Sequence, residues 1–337
     1  MNVGSVGQWA LVAGAIGGGY VAACAWLYHR LTRVPSDSPI FSSSNTPPAF
    51  LTPPLDTQPY LIPAYAPVEF PSRNPTVRIG GWWMPVAARP GAPAVIVVHG
   101  YTACRRDERI LLAAGMLHRH GFAVLAIDLR NHGESGRPTG RHSGGVRESA
   151  DVLGAWDWLV AQGRPPAERI GLFGISLGAA SVLIAAGDEP GVAAVWADSS
   201  YGDIDEATRA ELGRFSLPSF LLPGGILASR LLDGPGLRAK SPLLGMLRLG
   251  GRPVFITHGT EDTRLDVHYA HQLVTAGATA GVATESWIVD GSGHADAIVD
   301  HPADYERRLV DFFERSLGSV PAEPAARHNA ATEAGER

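Results

Sequence analysis

Runs of five consecutive apolar residues recur through the middle of the chain, Ala94-Val95-Ile96-Val97-Val98 and Ala123-Val124-Leu125-Ala126-Ile127 most clearly. A strand that is apolar at every position, not at alternate ones, has both faces covered, as in a parallel sheet between helices. The same pattern predicts strands over 169–173, 192–197, 253–257 and 287–289. Between them the apolar positions move to a helical period. One helix is expected over 106–120, with Leu111, Leu112, Met116 and Leu117 inward and Gly121 as its cap. Others are expected over 148–161, with Val152, Trp156, Leu159 and Val160 inward, over 177–186, and over 304–316. Strand and helix in alternation predict an α/β fold built on a mostly parallel, doubly wound sheet. Upstream, Val68-Glu69-Phe70 and residues 76–86 predict a hairpin or two edge strands, with a bend at Gly80-Gly81.

Three stretches break this rhythm. Residues 1–28 carry no charged side chain, and 9–27 form an apolar stretch of about the ~20 residues that cross a bilayer. Residues 1–29 are therefore expected to be a single transmembrane anchor. The alternative of a cleaved signal lacks its basic leading segment. Residues 21–24 have the order of a lipoprotein attachment box, and Gly14 and Gly18 have the spacing of a helix-packing face. Arg30 and Arg33 follow the apolar run, which by the positive-inside rule leaves the rest of the chain in the cytoplasm. Residues 30–66, crowded with proline and serine, are expected to be an extended linker. The folded domain is expected over 67–318, with an apolar helical cap inserted at about 202–251 and a disordered tail over 319–337.

Composition removes several function classes. The 337 residues carry a formal net charge of −5, with charged residues at only 18%, so no basic face for nucleic acid is present. The two cysteines, Cys24 and Cys104, lie in unlike surroundings and predict no disulfide. His268 and His271 sit three apart on an expected helix, but without a third ligand at suitable spacing they are read as solvent-facing, and no metal is expected. No cofactor is implied.

The candidate chemistry lies at the ends of the predicted strands. Gly174-Ile175-Ser176-Leu177-Gly178 fits G-x-S-x-G, in which a serine on a sharp strand-to-helix turn holds its hydroxyl clear of the backbone. A serine hydroxyl becomes nucleophilic when a histidine takes its proton and an acid fixes the imidazole tautomer. Asp262 and His294 follow later strands, in the chain order Ser, Asp, His. Asp198 also ends a strand and is the alternative acid. Ligands of such sheets bind beyond the carboxyl ends of the strands, where all these groups fall.

With His99-Gly100-Tyr101, Asp128 with Gly133-Glu134-Ser135, His258-Gly259-Thr260-Glu261-Asp262 and Gly293-His294, the chain resembles the α/β-hydrolase superfamily, among its serine esterases and serine-aminopeptidase-like hydrolases. The resemblance covers about residues 67–317. It implies Ser176 as nucleophile, His294 as general base and then acid, Asp262 as the orienting acid, and the backbone N–H groups of Tyr101 and Leu177 as an oxyanion hole. Its motifs say little about substrate. The apolar cap and the anchor together point to a hydrophobic acyl substrate, with Phe215, Phe220 and Leu221 as candidate contacts and membrane lipid as a partner. An aminopeptidase is the alternative, because Asp203, Asp205, Glu206 and Glu211 in the cap segment offer acids for an amino terminus. A non-catalytic binding module on the same scaffold is the alternative from another class.

Overall fold

The computed structural model describes residues 3–318, apart from positions 75, 88, 90, 164 and 235 and the side chains of residues 3–13 and 233. One sheet of eight strands organises them: β1 (Ala66–Pro71), β2 (Arg78–Met84), β3 (Ala94–Val98), β4 (Ala123–Ile127), β5 (Ile170–Ile175), β6 (Ala194–Asp198), β7 (Val254–Gly259) and β8 (Thr284–Val289). Their order is β1-β2-β4-β3-β5-β6-β7-β8. The strands from β4 to β8 in that order run parallel, and β1 and β2 form the antiparallel edge expected from residues 68–70 and 76–86, with β2 running unbroken through Gly80-Gly81 where a bend was expected. Every residue of β3, β4, β5, β6 and β7 is buried, which is why their sequences are apolar throughout and do not alternate.

The helices are α1 (Val3–Thr32), α2 (Glu108–Arg119), α3 (Glu148–Ala161), α4 (Leu177–Asp188), α5 (Ile204–Arg214), α6 (Leu222–Asp233), α7 (Pro242–Leu247), α8 (His268–Thr279), α9 (Ala297–Asp300) and α10 (Pro302–Leu317). Helices α2 and α10 cover one face of the sheet, where Leu112 and Met116 meet Phe122, Phe173, Trp196, Phe312 and Phe313. Helices α3, α4 and α8 cover the other, where Val152 and Leu159 join Leu172, Val182, Leu183, Val195 and Leu273.

Residues 30–66 differ from the expected linker. They lie against the body as a belt, with Phe50, Tyr60 and Ile62 buried in the core beneath α2. Polar links hold the belt along its length: Val34 N–H donates to Gly140 O at 2.8 Å, and Ser38 Oγ donates to Thr102 O at 2.7 Å. Burying a large apolar side chain is worth ~1.5–3 kcal/mol, so these three residues anchor the belt to the core.

The N-terminal helix also departs from expectation. Among the described residues no helix is long and apolar enough to cross a membrane, so the transmembrane anchor is not supported. The C-terminal half of α1 packs on the cap instead, where Cys24 and Leu27 are buried with Leu212, Leu221 and Leu222. The apolar composition that read as a bilayer span is thus partly used in protein packing. Cys24 of the attachment-box pattern is one of those buried residues. Nothing described packs against Gly14 or Gly18, so the packing face expected there has no partner helix among the described residues.

The cap is smaller than residues 202–251. Helices α5 and α6 form it with α1, whereas α7 returns to the body and presses between α4 and α8. The tail expected over 319–337 lies outside the described residues.

Candidate active site

Strand β5 runs two residues past its expected end, to Ile175, and hands the chain directly to α4 through Ser176. Ser176 has φ 55° and ψ −115°, a strained backbone for a residue with a side chain. The turn closes because its neighbours have no Cβ. A methyl at Gly174 would meet the backbone of Gly178 and Ala179, and one at Gly178 would run into the carbonyl oxygens of Val98 and His99. The sharp turn aims the hydroxyl outward at the carboxyl ends of β3 and β5.

The ends of β7 and β8 supply its partners. His294, in the loop after β8, approaches Ser176 Oγ with Nε2 at 2.9 Å and Asp262 Oδ2 with Nδ1 at 2.6 Å. Asp262, in the loop after β7, accepts the Nδ1 proton, which leaves the Nε2 lone pair facing the serine hydroxyl. Its other oxygen, Oδ1, accepts from the backbone N–H groups of Arg264 and Leu265, both at 2.8 Å. Burial of this carboxyl favours the neutral acid, but hydrogen bonds from His258 and His294 outweigh it and hold the Asp262 pKa far below the usual carboxylate range.

In the sequence His258 stands only as the first residue of the stretch that ends in Asp262, with no role of its own. Its imidazole is fully buried beneath the triad, where Nε2 lies 3.1 Å from Asp262 Oδ2 and donates to Leu265 O at 2.7 Å. Burial lowers its pKa, yet the bonds to Asp262 and Leu265 prevail and the net shift is upward. The only signal in the sequence was its place four residues before Asp262.

Both residues expected to donate to an oxyanion, Tyr101 and Leu177, line the larger cavity together with Ser176. Leu177 is the first residue of α4, so its N–H has no partner one turn back, and the Tyr101 N–H lies on the loop after β3. Among the described residues neither N–H donates to a protein acceptor. Gly100, between β3 and Tyr101, lets this loop approach closely: a Cβ there would stand 3.3 Å from that of Ser176.

The other candidates have structural posts. Asp198 stands apart from the Ser176–His294–Asp262 relay: its oxygens accept from Tyr305 Oη at 2.7 Å and Ser199 Oγ at 2.9 Å, deep in the core. His99 accepts from Leu129 N–H at 3.0 Å, and burial lowers its pKa to about 4. His132 is buried against Arg130 O at 2.8 Å. Asp128 is buried with Arg105 and bonds the Glu134 N–H at 2.9 Å, shaping the loop after β4. Cys104 is buried, which pushes its thiol up to about 12 and leaves it unreactive. His268 is spent on Glu206 at 2.8 Å and Asp266 at 2.9 Å.

Two cavities meet at Ser176. The larger, about 340 Å³, opens under the cap, and its lining includes Leu27, Leu31, Phe215, Leu222 and Ile226. The smaller, about 180 Å³, lies toward α2 and includes Asp107, Arg109 and His294. Tyr101, Ser176 and Arg264 line both. Of the expected substrate contacts, only Phe215 lines the larger cavity. Phe220 points away and stacks on Tyr20 of α1 at 6.2 Å, while Leu221 is buried between α1 and α6. They were misplaced because α1 occupies the face of the cap that a free cap would have turned toward substrate. In their stead α1 contributes Leu27, Tyr28 and Leu31, and the Tyr101 hydroxyl ties the oxyanion loop to this helix end by donating to Arg33 O at 2.6 Å.

Known proteins agree with this architecture. Residues 93–221 match the family described as alpha/beta hydrolase fold. An uncharacterized protein of Mycobacterium tuberculosis (strain H37Rv) is 30% identical over 268 residues, covering 79% of this chain and 80% of the relative. Among solved structures, the esterase Pf2001 of Pyrococcus furiosus superposes with a TM-score of 0.63 at 23% identity, over 80% of this chain and 100% of that one. The acylaminoacyl peptidase of Pyrococcus horikoshii does so with a TM-score of 0.58 at 18% identity, over 77% of this chain and 43% of that one. At those identities the structures speak for the fold alone. With the sheet order, the family match and a relative aligned over most of both chains, the protein belongs to the α/β-hydrolase superfamily.

Proposed function

We propose that the protein is a serine hydrolase that cleaves a carboxylic ester through an acyl-enzyme on Ser176. The observation that carries this reading is the unbroken relay from Ser176 Oγ through His294 to Asp262, at 2.9 and 2.6 Å. As Ser176 Oγ bonds to the substrate carbonyl carbon, its proton passes to His294 Nε2, and the carbonyl oxygen becomes an oxyanion between the N–H groups of Tyr101 and Leu177. Collapse breaks the ester bond, and His294 returns the proton to the departing alkoxide. A water then gives a proton to His294 and attacks the acyl carbon, releasing the acid and restoring Ser176.

A hydrophobic acyl chain suits the larger cavity, whose far wall is Leu27, Leu31, Phe215, Leu222 and Ile226. The peptidase alternative is weaker because the cap acids are engaged elsewhere. Asp203 caps α5, Asp205 bonds Arg238 Nε at 2.7 Å, and Glu206 holds His268 and Gln272, each at 2.8 Å. Only Glu211 among them lines the cavity.

Labelling by a fluorophosphonate tests the reading. The wild type should label and Ser176→Ala should not, and p-nitrophenyl esters should be hydrolysed in preference to an aminoacyl anilide. An unlabelled but folded wild type would overturn the serine mechanism and favour a binding module.

For location, the reading is that α1 and α6 rest on a lipid surface. Ile16, Val21 and Trp26 of α1 and Leu227, Leu231 and Leu232 of α6 are exposed, and Arg33 and Arg230 stand nearby in the chain to meet anionic headgroups. Flotation with vesicles containing phosphatidylglycerol should carry the protein upward. Failure to float at low salt would sink this placement.

A further inference from the structure

Arginines that are partly or fully buried in this protein are commonly matched by carboxylates. Arg73 meets Asp157, Arg105 meets Asp128, Arg109 meets Asp296, and Arg130 meets Asp151. Arg264 is an exception at the reaction centre. It is half-buried and lines both cavities beside Ser176. Its guanidinium lies over the Tyr101 ring, 5.5 Å from the centroid, and among the described residues no carboxylate comes within ion-pair distance. The larger cavity repeats the imbalance. Its lining holds three arginines, Arg30, Arg214 and Arg264, against one carboxylate, Glu211, a formal charge of 3 − 1 = +2. Among the described residues Arg30 likewise meets no carboxylate and rests on the ring of Phe215, at 4.9 Å. Glu211 pairs with Arg214 at 3.8 Å, which leaves Arg30 and Arg264 as the cations of this lining without a carboxylate among the described residues.

An unpaired guanidinium beside a partly enclosed cavity attracts an anion, and its planar fork matches a carboxylate. We infer that Arg264 is the receptor for a carboxylate carried by the substrate, so that the favoured esters are half-esters of dicarboxylic acids. Because Arg264 borders both cavities where they meet at Ser176, the free carboxylate sits only a few bonds from the scissile carbonyl. The apolar wall under the cap then takes the remaining hydrocarbon. This inference rests on the serine-hydrolase reading and names the substrate class of that same site.

The side chain can be altered without disturbing the triad, because Arg264 supports Asp262 through its backbone N–H, which Gln or Glu at this position keeps. The test compares kcat/KM for the p-nitrophenyl half-ester of glutarate with that for p-nitrophenyl pentanoate, which has the same chain length and no charge. The wild type should prefer the half-ester. Arg264→Gln should lower the ratio of the two values by roughly 10- to 100-fold, the effect of one charge-assisted hydrogen bond. Arg264→Glu should reverse the preference, and 0.5 M salt should weaken it in the wild type. A wild-type preference for the neutral ester overturns the inference, whether or not the variants fold. So does an unchanged ratio in an Arg264→Gln enzyme that still labels with fluorophosphonate. Absence of labelling in the wild type is a different failure and strikes the serine mechanism itself.

Discussion

Removing the imidazole of His258 tests whether the buried histidine beneath the triad supports Asp262. In His258→Ala the Leu265 carbonyl loses its donor at 2.7 Å, and Asp262 Oδ2 loses a neighbour at 3.1 Å in a site with no exposure to solvent. Losing a hydrogen bond to a charged group costs ~1.5–3 kcal/mol, and the vacated ring adds a cavity term, so about 3 kcal/mol is expected. At roughly 2–4 °C per kcal/mol for a domain of this class, Tm falls by about 6–12 °C. The loss has a pH signature. Folding raises the His258 pKa above its ordinary 6.5, so its stabilisation is complete below pH 6.5 and fades as pH rises through the folded value. Folding holds Asp262 below its ordinary 3.8, so its share is present above pH 3.8 and fades as pH falls through the folded value. The gap between wild type and variant is therefore widest between those two values and narrows toward pH 9. Calorimetry across pH 4–9 measures it, and His258→Gln, whose amide donor reaches toward the same carbonyl, should recover part of the loss. Equal Tm values for wild type and His258→Ala throughout that range would refute the reasoning.

Gly178→Ala places a methyl against the carbonyl oxygens of Val98 and His99, so fluorophosphonate labelling should slow at least ~100-fold as the serine turn shifts by a fraction of an ångström. Tyr305→Phe deletes the hydroxyl that donates to Asp198 at 2.7 Å and accepts from Trp196 Nε1 at 3.1 Å, and urea unfolding should show a loss of about 2–4 kcal/mol with the labelling rate little changed. Asp107 caps α2, and burial raises its pKa to about 6 from an ordinary 3.8, so ionisation opposes folding as pH rises through that interval. Asp107→Asn keeps the cap and should stabilise the protein by about 1–3 kcal/mol above pH 6 and not at all below pH 4, read by denaturant titration at both pH values. Leu27→Ala loosens α1 from the cap, and the KM for long-chain p-nitrophenyl esters should rise several-fold while that for the acetate stays put.

The sheet and the grouping of Ser176, His294 and Asp262 at its edge were legible in the chain because both depend on short stretches. A strand covered on both faces is apolar at each position, so β3 through β7 could be read from their own residues. Ser176, Asp262 and His294 stand at strand ends, where topology brings them to one edge whatever the distant packing does. The run before Ser176 and the small residues around it carried the geometry of the turn, down to the glycines that let α4 close on β5.

What lay beyond reach was partner choice over long separations. An uncharged apolar helix at the N-terminus carries the same pattern whether it meets lipid or protein, and only the tertiary structure sets Cys24 and Leu27 against a cap some two hundred residues away in the chain. That docking turned Phe220 and Leu221 from expected substrate contacts into helix-packing residues and placed Leu27, Tyr28 and Leu31 in the wall of the cavity. Likewise, nothing local marks a proline- and serine-rich stretch as a belt until Phe50, Tyr60 and Ile62 find the space beneath α2. His258 and Arg264 acquire their meaning only from what surrounds them, one a buried donor and the other an unpaired cation. Hydrophobic burial is non-directional: a sequence states how much apolar surface must be covered, and the fold alone decides by what.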